Sequence, residues 1–455
     1  MKKILFLFIA LPFVAMAQNN EDSIFIKKLS DDIFTNGKAY DLLYQLTKKV
    51  GGRLAGSPQF AKAIQWGKTT MQSIGADTVY LQQCMVPHWI RGTGDKVSIV
   101  ELNKKPVSIP LDALALGDAL GNGKTVTAEV IAVKDFAELE KRKDEIKGKI
   151  VFYNYPFNPT YIIPGRAYGE SGVYRHSGPS RAAKYGAVAV VIRSLTEATD
   201  NNPHTGAMQY DTAFAKIPAA ALGLKDADKL WNDCMNGKVK ISVTMHGKQM
   251  PDTIGDNVIA ELKGTEFPDE FITVGGHLDS WDVNEGAHDD GAGIVHTIEV
   301  LRALKAAGYH PKHTIRFVLF ANEENGLRGG LKYAEVAKSK NEKHIFALES
   351  DEGGFTPRGF GFSVSPAQYQ KVLAWQHFLK PYGGGDFAYG GGGADIGPLA
   401  QTFKTPVAGL NPDNQRYFDI HHARSDVFEN VNKRELLLGA INMSGLIYLI
   451  DKYGL

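Results

Sequence analysis

Cysteine is nearly absent: Cys84 and Cys234 are the only two among 455 residues. That scarcity excludes a small disulfide-built scaffold and any metal site made of thiolates, so a bound zinc would have to be held by histidine and carboxylate. An oxidising compartment would permit one bridge between the two, provided their Cα atoms come within roughly 7 Å. An excess of charge of one sign is missing as well, with 51 Lys and Arg against 50 Asp and Glu. No basic surplus serves the backbone of a nucleic acid or an anionic membrane surface, and both drop out as partners. Long apolar runs are also lacking. The run at 4–14 is far shorter than the roughly 20 residues a membrane span needs, so no membrane anchor is expected. With 44% apolar and 22% charged residues, and no low-complexity tract, the composition is that of an ordinary globular protein.

What is present starts with an address. Lys2 and Lys3, the apolar run, and Ala15-Met16-Ala17 before Gln18 read as a secretory signal peptide over 1–17, which implies export to the periplasm or the exterior. The length predicts two or three compact units. Residues 31–74 carry helical spacing, interrupted by Gly51-Gly52 and Gly56-Ser57, and 78–81 and 96–102 read as short strands. The texture changes near 106, where strands at 128–133, 149–153, 187–192 and 239–245 are interspersed with helical stretches at 136–146, 180–185 and 225–234. It changes again near 256. From there apolar strands (257–262, 271–275, 313–320, 345–348) alternate with amphipathic helices (293–307, 327–338), the pattern of an α/β fold with a mixed, mostly parallel sheet between helices. Such sheets gather function in the loops beyond the carboxyl ends of their strands.

Chemistry-bearing residues fall in those loops. The strand 271–275 runs into Gly276-His277-Leu278-Asp279, where His277 can offer a ring nitrogen to a metal while Asp279 accepts from the other; taken alone, such a pair is more often a plain loop hydrogen bond. Next comes Gly286-Ala287-His288-Asp289-Asp290-Gly291-Ala292-Gly293. Asp290 suits the start of the following helix, and the small neighbours of Asp289 let the backbone close in and aim one carboxylate inward, where it can span two cations. In Asn322-Glu323-Glu324-Asn325-Gly326 two adjacent glutamates after a buried strand repel each other unless positive charge lies nearby. One can then coordinate metal while its neighbour takes a proton from the attacking water. Glu349-Ser350-Asp351 ends a further strand, and His421-His422-Ala423-Arg424-Ser425-Asp426 places a histidine four residues before an acid.

In this order the five motifs, from Gly275-Gly276-His277-Leu278-Asp279-Ser280-Trp281-Asp282 to the last, resemble the co-catalytic two-zinc exopeptidases of the aminopeptidase Y and glutamate carboxypeptidase superfamily. The resemblance covers nearly the whole chain after the leader and implies a phosphorylase/hydrolase-like peptidase fold. It implies that His277 and Asp351 hold one zinc, that Glu324 and His422 hold the other, and that Asp289 bridges them. Glu323 matches the general base, and Asp279 the acid behind His277. His422 is preferred to His421 because its spacing to Asp426 matches His-x-x-x-Asp. Tyr389 is a candidate for stabilising the oxyanion, and 391–398, with Asp395, for the substrate rim.

Within the middle region, Gly-Lys-Ile-Val-Phe-Tyr at 148–153, the stretch 181–193 and Ile217-Pro218-Ala219-Ala220-Ala221 resemble the protease-associated domain, a β-rich non-catalytic insert. The expected division is a peptidase domain of 18–105 and 250–455 around an insert of 106–249. Short peptides are the expected substrates, by aminopeptidase or dipeptidase action, with carboxypeptidase action, hydrolysis of another amide and a non-catalytic binding module as alternatives. A homodimer is left open as the assembly.

Overall fold

The computed structural model describes residues 10–455, so the first nine residues of the expected leader lie outside the described residues. The rest of the leader lies in the first turns of a helix, Ala10–Asn36. No helix among the described residues is long and apolar enough to cross a membrane.

The strands, in chain order, are β1 (Thr78–Ile90), β2 (Lys96–Leu102), β3 (Lys105–Leu111), β4 (Ala113–Ala115), β5 (Thr125–Val133), β6 (Ile150–Tyr153), β7 (Ala189–Arg193), β8 (Ala219–Leu222), β9 (Val239–Thr244), β10 (Lys248–Leu262), β11 (Phe267–His277), β12 (His313–Phe320), β13 (Lys343–Glu349), β14 (Pro357–Ser363), β15 (Asp386–Tyr389) and β16 (Val407–Pro412). They make two eight-stranded sheets, ordered β1-β10-β12-β11-β13-β16-β14-β15 and β3-β2-β9-β5-β6-β7-β8-β4. In the first sheet β12, β11, β13 and β16 run parallel, while β1, β10 and β14 add antiparallel pairings toward the edges.

Burial on both faces explains the apolar character of these central strands. Ile315, Phe317 and Leu319 of β12 point to one side and pack with Ile294, Ile298 and Leu301 of the helix Ala292–Ala306 and with the helix Lys433–Tyr453. Val318 and Phe320 point to the other side and meet Tyr333 and Ala337 of the helix Arg328–Ser339 and Leu399 of the helix Gly397–Phe403. The period of two therefore separates two helical layers with the sheet between them.

The chain leaves the first sheet after β1 and returns to it at β10. The second sheet begins at Lys96, ahead of the expected boundary at 106: β2 pairs with β9 (Val97↔Val243, Ile99↔Ile241) and buries Val97 and Ile99 in the second core. A composition change marks where texture shifts, whereas strand pairing decides membership, and β2 finds its partner some 140 residues later. Cys84, on β1, and Cys234, on the helix Leu224–Met235, lie in different units and both are free.

One charged group sits inside the central sheet. Arg316 of β12 is buried, with Nε 2.9 Å from Glu261 of β10 and an amino group 2.8 Å from Glu342, just before β13. It keys β12 to its neighbours, since any slip would strand the guanidinium without a partner. Burial works against charge on Glu342, but bonds from His344 and Arg316 outweigh it and hold this carboxyl down at about 2. A carboxyl depressed in the folded state stabilises the fold above its unfolded value and loses that contribution as pH falls toward the folded one. Glu342→Gln is therefore expected to lower the urea midpoint at neutral pH, by about 3 kcal/mol of stability at most. The gap between wild type and variant should close as pH falls from about 4.5 to about 2; a gap independent of pH would contradict this account.

Candidate metal centre

Parallel pairing brings the ends of β11, β12 and β13 level, with His277 opposite Phe320 and Gly275 opposite Glu349. The loops leaving these ends carry His277, Glu323-Glu324 and Asp351. Glycine at 276 is required by close approach: a Cβ there would lie 2.3 Å from Asp290 Oδ2. That carboxylate instead accepts the main-chain N–H groups of His277 (3.0 Å) and Gly293 (2.9 Å), which ties the end of β11 to the start of the helix Ala292–Ala306. Asp290 thus serves the helix start, as the sequence suggested, although its oxygens also lie within 4.8 Å of donor atoms of His277 and Asp351.

The remaining donors converge. His277 Nε2 is 3.0 Å from Asp351 Oδ1 and 3.3 Å from Asp289 Oδ1. His422 Nε2 is 3.2 Å from Asp289 Oδ2 and 3.1 Å from Glu324 Oε2. Asp289 therefore presents one oxygen to each histidine, and its Oδ2 is buried with no hydrogen-bond donor. The Asp289–Asp290 peptide is cis. His421 stacks on His422 at 3.6 Å between centroids, with its Nε2 3.4 Å from the same Asp289 oxygen, so it too lies within reach of a cation.

Tautomers decide what this cluster lacks. His277 Nδ1–H donates to the main-chain oxygen of Asp279 at 3.0 Å, and His422 Nδ1–H to that of Thr205 at 3.3 Å. Each neutral ring then turns the Nε2 lone pair toward carboxylates, so acceptors face acceptors. Either a proton on each ring or a cation between the groups must fill the gap. Burial disfavours charge on both rings, yet Asp351 and Asp289 hold His277, and Tyr168, Glu324 and Asp289 hold His422, well above the usual imidazole range. Burial likewise works against charge on Asp289, but the facing rings of His277 and His422 hold it well below the usual carboxylate range. Glu324 is pushed up to about 7 by burial and by Asp289. Histidine nitrogens and carboxylate oxygens in this arrangement fit zinc, with two sets of donors sharing Asp289.

Glu323 stands apart from these pairs. Its main-chain N–H donates to Asp279 Oδ1 at 3.0 Å, and that of Glu324 donates to Oδ2 at 3.3 Å. Asp279 therefore fixes the double-glutamate loop with its carboxylate and His277 with its carbonyl, a division of labour that the spacing His-x-Asp did not reveal. Burial, Asp351, Glu324 and Asp289 push Glu323 well above the usual carboxylate range, which makes it a ready proton acceptor.

Two further supports escaped the sequence reading. Asp426 accepts from the N–H groups of both His288 (2.8 Å) and Asp289 (3.1 Å), so the last motif's acid holds the bridging carboxylate's backbone. Arg53, fully buried, donates to Leu278 O, Glu285 O and Gly286 O at 2.6, 2.8 and 3.1 Å and fastens the loops of His277 and Asp289 together. Its setting in Gly51-Gly52-Arg53 was the available signal.

The candidate rim is placed differently from the expectation. Tyr389 is 61% exposed on the edge strand β15, separated from β13 by β16 and β14, and its ring lies against Tyr369. Asp395 is closed off from solvent, with neither carboxylate oxygen hydrogen-bonded, beside Glu349, which accepts from the N–H of Ile396 at 2.9 Å. An acid sealed in this way does not line an open rim; burial and Glu349 raise it well above the usual range.

Comparison with known proteins places the chain among peptidases. The model of peptidase family M28 matches residues 257–445. Carboxypeptidase Q of Mus musculus is 34% identical over 415 residues, 91% of this chain and 85% of that protein. The Xenopus laevis protein of the same name is 37% identical over 401 residues, 87% and 82%. A crystal structure of a peptidase M28 precursor from Shewanella amazonensis superimposes with a TM-score of 0.88 at 32% identity, covering 95% of this chain and 97% of that one. A zinc aminopeptidase from Bacillus subtilis gives 0.66 at 20% identity over 90% and 94%, a likeness of fold alone. With relatives at this identity aligned along most of both chains, the protein belongs to peptidase family M28.

Proposed function

We propose that the protein is an exported, zinc-dependent exopeptidase that hydrolyses short peptides, with two zinc ions per chain. The observation that carries this reading is the buried Asp289 carboxylate, one oxygen toward His277 and the other toward His422, with Asp351 and Glu324 completing two sets of donors. His277 and Asp351 would hold one ion, Glu324 and His422 the other, and Asp289 both. Bound zinc supplies Lewis acidity toward water and the scissile carbonyl. The rest falls to the chain: Glu323 takes the proton of the attacking water and returns it to the departing amine, while Asp279 keeps its loop in place. The second unit is proposed as a protease-associated insert, on the strength of its motifs.

Free α-amines suit a site rich in carboxylates, which favours aminopeptidase or dipeptidase action. A second reading, release of C-terminal residues, is favoured by the name of the mouse and Xenopus relatives. Comparing free dipeptides with N-acetylated and C-amidated versions separates the two. Loss of turnover on N-acetylation alone supports the first, and loss on C-amidation alone supports the second.

Chelation of the metal is expected to abolish hydrolysis and zinc to restore it; full activity in metal-free protein would end the zinc reading. Glu323→Gln should keep its zinc content and lose turnover by about 10²–10⁴-fold. Unchanged turnover in that variant would remove Glu323 from the proton transfer.

A further inference from the structure

Residues 204–206 belong to the second unit, between β7 and β8, and no motif marks them. In the fold they lie along His421-His422 of the first unit. Thr205 N–H donates to His422 O at 2.9 Å, and the His422 ring returns a bond from Nδ1 to Thr205 O at 3.3 Å. Beside them His204 Nδ1–H donates to His421 O at 2.6 Å. The three residues are anchored to their own unit in turn: His204 N–H donates to Ser194 Oγ, Thr205 Oγ1 to Ala115 O, and Gly206 O accepts from Gly117 N–H, each at 2.9 Å.

The stretch being held is unusual. His422 has φ of +60°, the left-handed region that a residue with a Cβ enters at a cost. Nothing about an isolated loop favours that conformation; here three hydrogen bonds between His421-His422 and the second unit accompany it, and with it the ring turns Nε2 toward Asp289 and Glu324. Contact is too close for any other residue than glycine at 206. A Cβ there, already disfavoured at φ of +133°, would come 2.3 Å from an amino nitrogen of Arg175 and 2.7 Å from His422 Nδ1. The His277–Asp351 pair has no such contact: the N–H of its ring is taken by the carbonyl of Asp279, within the first unit.

We infer that residues 204–206 are a positioning element for His422, through which docking of the second unit sets the geometry of the Glu324–His422 cation position and leaves the His277–Asp351 position untouched. The inference rests on the reading of His422 as a metal ligand. Because the contact is reciprocal, a cation bound at that position should in turn favour the docked arrangement of the unit.

The test uses the full chain, stripped by chelation and titrated with Co²⁺ by calorimetry and by the visible absorption of the bound ion. Wild type is expected to take two equivalents. Gly206→Ala should weaken one equivalent about tenfold or more and leave the other unchanged. His204→Ala, which removes the bond to His421 O without adding an atom, should weaken the same equivalent and decides the matter if Gly206→Ala does not fold. Two tight equivalents in the variants would overturn the inference, and so would equal weakening of both, the mark of a general structural fault. Fewer than two equivalents in wild type would instead overturn the underlying metal reading.

Discussion

Acceptors facing acceptors is the constraint on which this structure turns. Three carboxylates and two imidazole lone pairs are drawn together in a place with little access to water, where like groups repel strongly and solvent cannot dilute the repulsion. The fold tolerates this only with positive charge among them, a proton on each ring or a cation between the groups. No single loop could impose it. His277, Asp289, Glu324, Asp351 and His422 come from four separate connections, and what aligns the first three of these is the level ending of β11, β12 and β13.

Main-chain groups do most of the holding. Asp290, Asp279 and Asp426 each receive two backbone N–H groups, and Arg53 gives its guanidinium hydrogens to three backbone carbonyls. This arrangement fixes the loops that carry the converging side chains, of which Glu324 itself accepts a main-chain bond from Trp281 N–H at 3.1 Å. It also brings several acids close to one another around a single buried guanidinium, so the charge balance of the region depends on its content of cations.

Much of this was legible in the sequence, and the reasons differ from residue to residue. His313–Phe320 reads as a buried strand because, Arg316 apart, apolar residues fill both its faces from Ile315 onward, and that run places the double glutamate at a strand end. Asp289 and Glu323 stand out because their neighbours, small or like-charged, make no sense for an ordinary loop. Asp426 and Thr205 were opaque, and Arg53 nearly so, for a common reason: they act through backbone atoms of residues far away in the chain, and a backbone N–H or carbonyl leaves no mark in a sequence. Tyr389 shows the converse failure. A tyrosine in a glycine-rich stretch is conspicuous, but strand order put it at the far edge of the sheet. The membership of β2 was hidden for a related reason, since seven residues of alternating character do not say which of two sheets will pair with them.

The second unit interrupts the first between two strands that lie side by side: Ile90, the last residue of β1, pairs with Lys248, the first of β10. β1 therefore finds its neighbour only across the whole intervening unit. Joining two ends across so long a floppy segment carries a heavy entropic penalty, which vanishes once that segment has folded with its termini together. Prior folding of the middle of the chain thus prepares the closure of the edge, and the second unit becomes part of how the first sheet is assembled.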